Sequence, residues 1–206
     1  MEWTRLLTFA LMPTLVFATA NPHKVAEVRL LLGDCYDFAS LADIGCTEVV
    51  PETQPTLTGN ALQKARYVAE HYGVDCFAED SGLEVDALDG LPGVDTAHYA
   101  GPGRDAVANM MKLLDALGDV DVREARFRAV IALVRGGDEQ TFEGVVPGRI
   151  AREMRGAGGF GYDPIFIPED QDLTFAELPP AYKKSVSHRS RAMRKLVDFL
   201  GGEARK

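Results

Sequence analysis

Phe77-Ala78-Glu79-Asp80-Ser81-Gly82-Leu83-Glu84-Val85 decides how the rest of the chain is read. Apolar residues run up to two adjacent carboxylates, a Ser-Gly pair interrupts, and alternation resumes. The pattern predicts a strand reaching Glu79 and Asp80 and a break at Ser81-Gly82. Alternation then continues from Leu83 to Leu88, with a hairpin turn at Asp89-Gly90. Carboxylates at the mouth of a strand cost free energy unless they are paired or coordinated. A hard divalent cation bridging them to phosphate oxygens would offset that cost. A plain turn rich in Asp, Ser and Gly is the alternative, so companions to Asp80 elsewhere in the chain carry the decision.

Composition sets the outer bounds. The 206 residues are 46% hydrophobic, which suits one sizeable domain or two lobes sharing a core. A net charge of -9 excludes a protein that coats nucleic acid through a basic face. An anionic substrate must then be met by a few local cations rather than by the overall field. Cys35, Cys46 and Cys76 are odd in number and widely spaced, which points to a reducing compartment and to no cysteine zinc site. Arg5, the run Leu6 to Phe17 and Ala18-Thr19-Ala20 imitate a secretion signal. Pro13 interrupts that run, and the same residues read as a buried strand entering a helix. Met12 is an alternative start, which leaves Met1 to Leu11 as an extension. No other stretch approaches the ~20 apolar residues of a membrane span.

Upstream of the central stretch, Thr14 to Ala18 is a short buried strand. Asn21 suits an N-cap and Pro22 the first helical position. Val25, Val28 and Leu32 share one helical face, and Gly33 ends the helix. Thr19 to Lys24 is then a strand-to-helix loop whose backbone N–H groups and helix dipole can hold an anion, with Lys24 adding charge. Pro51-Glu52-Thr53-Gln54-Pro55 is a loop. The helix after it starts near Thr58, buries Leu62, Ala65, Ala69 and Tyr72, and stops at Gly73, with Lys64 and Arg66 on other faces.

Downstream, Asp105 caps a helix carrying Val107, Met110, Leu114 and Leu117. Ala125 to Val134 is a central strand, turned by Gly136-Gly137-Asp138 into an antiparallel partner from Gln140 to Val146. Gly156, Gly158, Gly159 and Gly161 allow close backbone approach to a ligand, and the embedded Phe160 and Tyr162 offer a stacking face. Ser187 suits an N-cap before a helix that buries Ala192, Met193, Leu196 and Phe199 and ends at Gly201. His188 and Arg189 sit in its first turn, where cations oppose the dipole, so something anionic or rich in acceptors is expected beside them. Alternating βα units and antiparallel hairpins predict an α/β fold with a mixed sheet.

Four blocks, taken in order, resemble the inosine triphosphate pyrophosphatase (Ham1-like) family. They are Ala18-Thr19-Ala20-Asn21-Pro22-His23-Lys24; Asn60-Ala61-Leu62-Gln63-Lys64-Ala65; Glu79-Asp80-Ser81-Gly82-Leu83 with Leu91-Pro92-Gly93; and Gly159-Phe160-Gly161-Tyr162-Asp163-Pro164-Ile165-Phe166 with Ser187-His188-Arg189. The likeness runs from Met12 onward. It implies a single nucleotide pyrophosphatase domain over residues 12–206, preceded by the extension at 1–11. The implied architecture is a mixed central β-sheet flanked by helices, in two lobes with an active-site cleft between them. The implied reaction converts noncanonical purine nucleoside triphosphates (ITP, dITP, XTP) to the monophosphate and pyrophosphate. Magnesium, a homodimer and a cytoplasmic setting come with the resemblance.

Carried over position by position, the resemblance makes Thr19, Ala20, Asn21, Pro22, His23 and Lys24 a triphosphate cradle and Lys64 a further phosphate contact. Asp80 becomes metal ligand and proton acceptor, with Ser81 touching substrate. Phe160, Gly161, Tyr162 and Asp163 contact the nucleoside, with Phe160 stacked on the base, and Lys183, His188 and Arg189 complete the base pocket. Lys183 is preferred to Lys184 because it stands five residues before His188. Glu52, the one acid in its loop, is the second metal carboxylate. A carboxylate that ligates a cation is a poor base. Asp80 is therefore read chiefly as placing the water, and Glu79 and Asp163 stay candidate bases. The chain departs from the family pattern at Ala20, usually Gly; at Glu79, usually Asp; and at Gly59, where many members carry Glu. Two rival readings are a Maf-like nucleotide pyrophosphatase, which would lack the last block, and a nucleotide-binding module without catalysis, which would lack the metal carboxylates.

Overall fold

The computed structural model describes residues 15–32 and 38–203, apart from the side chains of residues 23, 30–32, 202 and 203. The extension at 1–11, the helix stop expected at Gly33, and Cys35 lie outside the described residues.

Six strands form one mixed sheet in the order β2-β1-β3-β4-β5-β6. Strand β1 (Leu15–Phe17) runs parallel to β2 (Phe38–Ser40) and to β3 (Cys76–Val85). Strands β3, β4 (Glu124–Arg135), β5 (Asp138–Ile150) and β6 (Phe166–Pro168) are antiparallel neighbours. Helices cover both faces, which is why Ala129 to Leu133 is apolar without alternation. On one face, α1 (Pro22–Leu32) and α5 (His188–Glu203) pack on Phe17, Phe77, Ile131 and Leu133. Phe17 and Phe77 stack there at 4.6 Å. On the other face, α2 (Leu57–Tyr72) packs on Val16, Ala78, Val130 and Ala132. A further core gathers α3 (Ala106–Leu117) with the far ends of β3, β4 and β5. The expected mixed α/β sheet is the one observed.

Strand β3 corrects the reading of the central stretch. Ser81-Gly82 is no break, because β3 pairs with β4 without interruption from Cys76↔Val134 to Val85↔Ala125. Gly82 serves close approach instead: a Cβ there would lie 2.2 Å from the carbonyl oxygen of Gly93. The Asp89-Gly90 turn forms with both residues at positive φ, but it follows a 3₁₀ turn at Asp86–Leu88. The returning chain adds only the bridge Glu84↔Pro92 rather than a strand.

Two helices present other faces than the apolar spacing predicts. Helix α2 is capped by Thr56, whose Oγ1 accepts from Gly59 N–H at 3.0 Å, and stopped by Gly73 at φ +64°. Its buried face is Leu57, Asn60, Ala61, Lys64, Ala65 and Val68, so Lys64 lies inward rather than on an outer face. Helix α3 is capped by Asp105 as expected, but it buries Asn109 and Leu113 and leaves Val107 52% exposed. Asn109 accepts from Ala100 N–H at 2.6 Å and donates to the Ala97 carbonyl, which clamps the loop ahead of the helix. Polar residues claimed these inward positions because each has a partner waiting there.

Helix α4 (Pro180–Val186) meets α5 at Ser187, whose Oγ accepts from Ser190 N–H at 3.1 Å in the expected capping role. Helix α5 continues through Gly201 to Glu203. Among the described residues, no helix is long and apolar enough to cross a membrane. Cys46 and Cys76 are buried and unpaired.

Candidate active site

Successive residues of a strand face opposite sides of the sheet, and β3 uses this to separate its two acids. Glu79 points to the side of α1 and α5, and Asp80 to the side of α2.

On the first side, Glu79 is 1% exposed. The Arg189 guanidinium grips it in a bidentate pair, with Nε 2.7 Å from Oε2 and Nη2 3.1 Å from Oε1. Lys24 Nζ lies 3.5 Å from Oε1 and donates to the Glu79 carbonyl. Burial raises the Glu79 pKa, but the charges of Arg189 and Lys24 outweigh it and hold the carboxyl well below the usual carboxylate range. Arg189 also donates to Glu27 on α1. The cation at the start of α5, which the sequence reading left seeking an external anion, is thus answered inside the protein. With its pKa lowered and two cations holding it, Glu79 is a weak proton acceptor.

On the second side, the Lys64 ammonium joins two carboxylates, donating to Glu52 Oε1 and lying 3.4 Å from Asp80 Oδ1. Asp80 Oδ2 is buried and has no hydrogen-bond partner. Burial raises the Asp80 pKa against the pull of Lys64, Lys24 and the Asn60 side chain. The Glu52 loop is pinned to α2, with Thr53 N–H donating to Gln63 Oε1, Gln63 Nε2 donating to Thr53 Oγ1, and Gln54 N–H donating to Asn60 Oδ1, each at 2.8 Å. Gly59 makes room for this, since a Cβ there would come 2.7 Å from Gln54 Cβ. Asn60 and Gln63 escaped the sequence reading as site-building residues; their signal was a position about one turn before Lys64 and directly next to it on the same helix. Glu27 also escaped it, although it stands three residues after Lys24.

The loop Thr19 to Lys24 opens α1. Asn21 Oδ1 accepts from Lys24 N–H at 3.3 Å, the expected cap, and Thr19 Oγ1 accepts from Asn21 N–H at 3.2 Å. Ala20, Asn21 and Pro22 are exposed, and His23 follows in the first turn.

Across from this cluster the Gly-rich segment forms a platform. Phe160 is 40% exposed, with Lys183 Nζ 4.2 Å from its ring centroid and Arg189 Cζ at 6.0 Å. Asp163 is buried and takes both the Lys183 ammonium and the Phe160 N–H, the latter at 2.8 Å. It organises the platform through Oδ2, which takes both contacts. Gly159 is required at φ +76°, because a Cβ would fall 2.0 Å from Asp163 Oδ2. Tyr162 is buried, and its hydroxyl donates to the Thr96 carbonyl at 3.0 Å, so its ring braces the segment from behind. Thr96 also accepts from Leu83 N–H at 2.8 Å, a link to β3 that nothing in the sequence signalled. His188 is buried and stacked on Phe127 at 4.9 Å, with Nδ1 unpartnered. Burial and the Arg189 charge lower its pKa well below 6.5, so it is neutral.

Of the positions marked in the sequence, Lys64, Asp80 and Glu52 gather on the acidic side. Phe160, Lys183, Asp163 and Arg189 form the aromatic side, and Arg189–Glu79–Lys24 connects the two. Ser81 follows Asp80 on β3 and is partly exposed. Among the described residues, no three potential metal-ligating side chains converge. The acids beside Lys64 number two, which matches Mg²⁺, an ion commonly held by one or two carboxylates with substrate phosphates and water completing the shell. The unclaimed Asp80 oxygen fits such an ion.

Fold and site together define an α/β protein in which a carboxylate–lysine cluster is wired to an aromatic platform. Residues 15–199 match the Ham1 family, and the chain belongs to it. A dITP/XTP pyrophosphatase of Porphyromonas gingivalis is 52% identical over 190 residues, covering 92% of this chain and 98% of the relative. One of Bacillus subtilis is 46% identical over 194 residues, covering 92% and 98%. Among solved structures, a HAM1 protein from Coxiella burnetii superposes with a TM-score of 0.87 at 38% identity, covering 93% of this chain and all of that one (100%). A nucleoside-triphosphatase / dITP/XTP pyrophosphatase from Mycobacterium abscessus does so with a TM-score of 0.77 at 44% identity, covering 89% and 98%.

Proposed function

We propose that this chain is a nucleoside-triphosphate pyrophosphatase that hydrolyses ITP, dITP and XTP to the monophosphate and pyrophosphate, clearing them from the nucleotide pool. The observation that carries this reading is the run of contacts from Phe160 through Arg189 to Glu79 and Lys24, with Asp80, the next residue on β3, joined through Lys64 to Glu52. It gives one site a place for a purine ring at one end and for a polyphosphate at the other. The names of the relatives support the substrate class. Membership of the Ham1 family sets aside the Maf-like reading, and the paired carboxylates speak against a module without catalysis.

In the mechanism that follows, the base lies on Phe160 with Lys183 beside it. The triphosphate lies along the mouth of α1, where the Thr19 to Lys24 backbone, Lys24 and Lys64 face its charge. Asp80 and Glu52 would hold a magnesium ion, which when bound neutralises phosphate charge and favours loss of pyrophosphate. Asp80 also orients the water that attacks the α-phosphorus. Lys24 and Lys64 stabilise the charge that develops on the phosphate oxygens, the leading contribution in phosphoryl chemistry. Glu79 fixes the position of Lys24 and Arg189, and Asp163 that of Lys183 and the Phe160 backbone. The separate cores at the two ends of the long strands suit a two-lobed protein with substrate between the lobes. A homodimer in the cytoplasm completes the reading.

The test is incubation of ITP with magnesium, with pyrophosphate and orthophosphate assayed separately. IMP and pyrophosphate are expected, and nothing with a chelator present. Orthophosphate and IDP would place the cut at the wrong bond and overturn the proposal.

A further inference from the structure

We infer that Lys64 closes the metal site to free divalent cations, so that the metal is admitted only together with a nucleotide. This rests on the magnesium site proposed above. The Lys64 side chain is 7% exposed, and its ammonium engages an oxygen from each of the two carboxylates, Glu52 Oε1 and Asp80 Oδ1. These are the groups that a divalent cation would need. An ammonium between two carboxylates already supplies much of the electrostatic stabilisation an incoming ion would bring, so the ion must break an ion pair to enter. Lys64 and Asp80 are the buried members, with side chains 7% and 13% exposed, and a buried charge that loses its partner is costly unless it finds a new one.

A triphosphate is such a partner. Lysine is a compact charge on a four-carbon stem, able to shift from carboxylate to phosphate without moving its helix. The backbone of α2 is fixed at both ends by Thr56 and Gly73, and Asn60 and Gln63 fix the Glu52 loop. The Lys64 side chain can change partner while these backbone elements stay in place. Nucleotide binding draws the ammonium to phosphate and frees Glu52 and Asp80 for the metal. By linkage, metal and nucleotide then tighten each other's binding by the same factor. Free magnesium, abundant where nucleotides are, leaves the empty enzyme unloaded.

The experiment is Mn²⁺ binding followed by electron paramagnetic resonance and calorimetry, on nucleotide-free protein and with an α,β-methylene analogue of ITP that resists cleavage. Wild-type protein should bind Mn²⁺ weakly alone and at least ~5-fold more tightly with the analogue. Lys64→Met should bind Mn²⁺ alone about tenfold more tightly than wild type, with the coupling to the analogue reduced. Lys64→Arg, which keeps the cation, should stay weak. Unchanged or weaker free-enzyme binding in Lys64→Met overturns the inference while the magnesium site stands. If Lys64→Met does not fold, the wild-type comparison decides, and a coupling factor near one overturns the inference. Absence of Mn²⁺ binding to wild type even with the analogue overturns the magnesium site and this inference with it.

Discussion

Glu79 and Asp80 are consecutive in the chain yet serve opposite faces of the sheet, the first 2.7 Å from Arg189 Nε and the second 3.4 Å from Lys64 Nζ. One peptide step thus separates a carboxylate that holds the protein together from one left with an open oxygen. Glu79→Gln removes the partner of two buried cations. Breaking a buried pair from one side costs about 3–5 kcal/mol, which in a chain of this size lowers Tm by roughly 6–20 °C. Asp80→Asn leaves Lys64 paired with Glu52, so it should lower Tm far less than Glu79→Gln while reducing kcat by roughly 10²-fold or more, the loss expected for a main electrostatic group. Thermal melts and turnover on the two variants separate these roles. Equal loss of stability in both would contradict the division.

His188 sets a stability difference on the acid side. The folded protein keeps it neutral, with a pKa well below 6.5, whereas the unfolded chain takes up a proton near 6.5. The unfolded state therefore binds more protons below that value, so stability is full above it and falls as pH drops toward the folded pKa. A single group contributes a slope of roughly 1.4 kcal/mol per pH unit. Burial raises the pKa of Asp80 and Asp163, which gives slopes of the opposite sign, so the difference between variant and wild type is the quantity to read. His188→Phe keeps a ring against Phe127 and should flatten the decline in urea-melt stability between about pH 7 and pH 5. An unaltered slope would mean that folded His188 takes up the proton too.

The chain's own pattern carried the sheet and most helix limits. Asp105 and Gly73 do the starting and stopping that their chemistry implies, α2 begins at Leu57 behind a Thr56 cap rather than near Thr58, and Ala129 to Leu133 is apolar because both sheet faces are covered. Reading failed where a polar residue sits on an inward face. Lys64 and Asn60 look like surface positions by hydropathy, and only the acids on β3 and in the Glu52 loop explain them. Ser81-Gly82 failed for a related reason. A glycine inside a strand marks close approach as well as a turn, and Gly93 comes from a segment whose path no local rule gives. Arg189 was placed correctly in the first turn of α5, but its partners, Glu79 and Glu27, stand 110 and 162 positions away in sequence. The last block was legible because its residue types are unusual, although the inward turn of Tyr162 was not.

Gly159 and Gly161 give a paired test of the platform. Both have positive φ, +76° and +62°, so alanine strains either one. Only at Gly159 does the new Cβ also strike the Asp163 carboxylate, at 2.0 Å, while nothing lies within 4 Å at Gly161. Gly159→Ala should therefore displace Asp163 from Phe160 N–H and Lys183 and raise KM for ITP several-fold more than Gly161→Ala. Equal effects would mean that backbone strain alone matters and that Asp163 does not organise the platform.

Base choice depends on which donors remain after the protein has used its own. Arg189 is turned to Glu79 and Glu27, whereas Lys183 gives one donor to Asp163 and keeps two more beside the Phe160 ring where a stacked base would lie. Lysine carries donors and no acceptor, and neutral His188 supplies at most one acceptor through its unpartnered Nδ1. A 6-oxo group of hypoxanthine or xanthine accepts from such a site, while the 6-amino group of adenine sets donor against donor. Sites built on hydrogen bonds of this kind reject the wrong analogue by up to about 10⁴-fold. Wild-type enzyme should therefore prefer ITP, dITP and XTP strongly over ATP, with little discrimination at the sugar. Lys183→Met should cut kcat/KM for ITP by roughly tenfold or more and leave ATP nearly unchanged, since it removes a donor that ATP cannot use. Arg189→Lys should act differently: it gives up the bidentate grip on Glu79, lowers Tm, and reduces both substrates together. Steady-state kinetics on both substrates with a melting curve for each variant distinguish the two. If wild type hydrolyses ATP as efficiently as ITP, the donor set around Phe160 is not what selects the base.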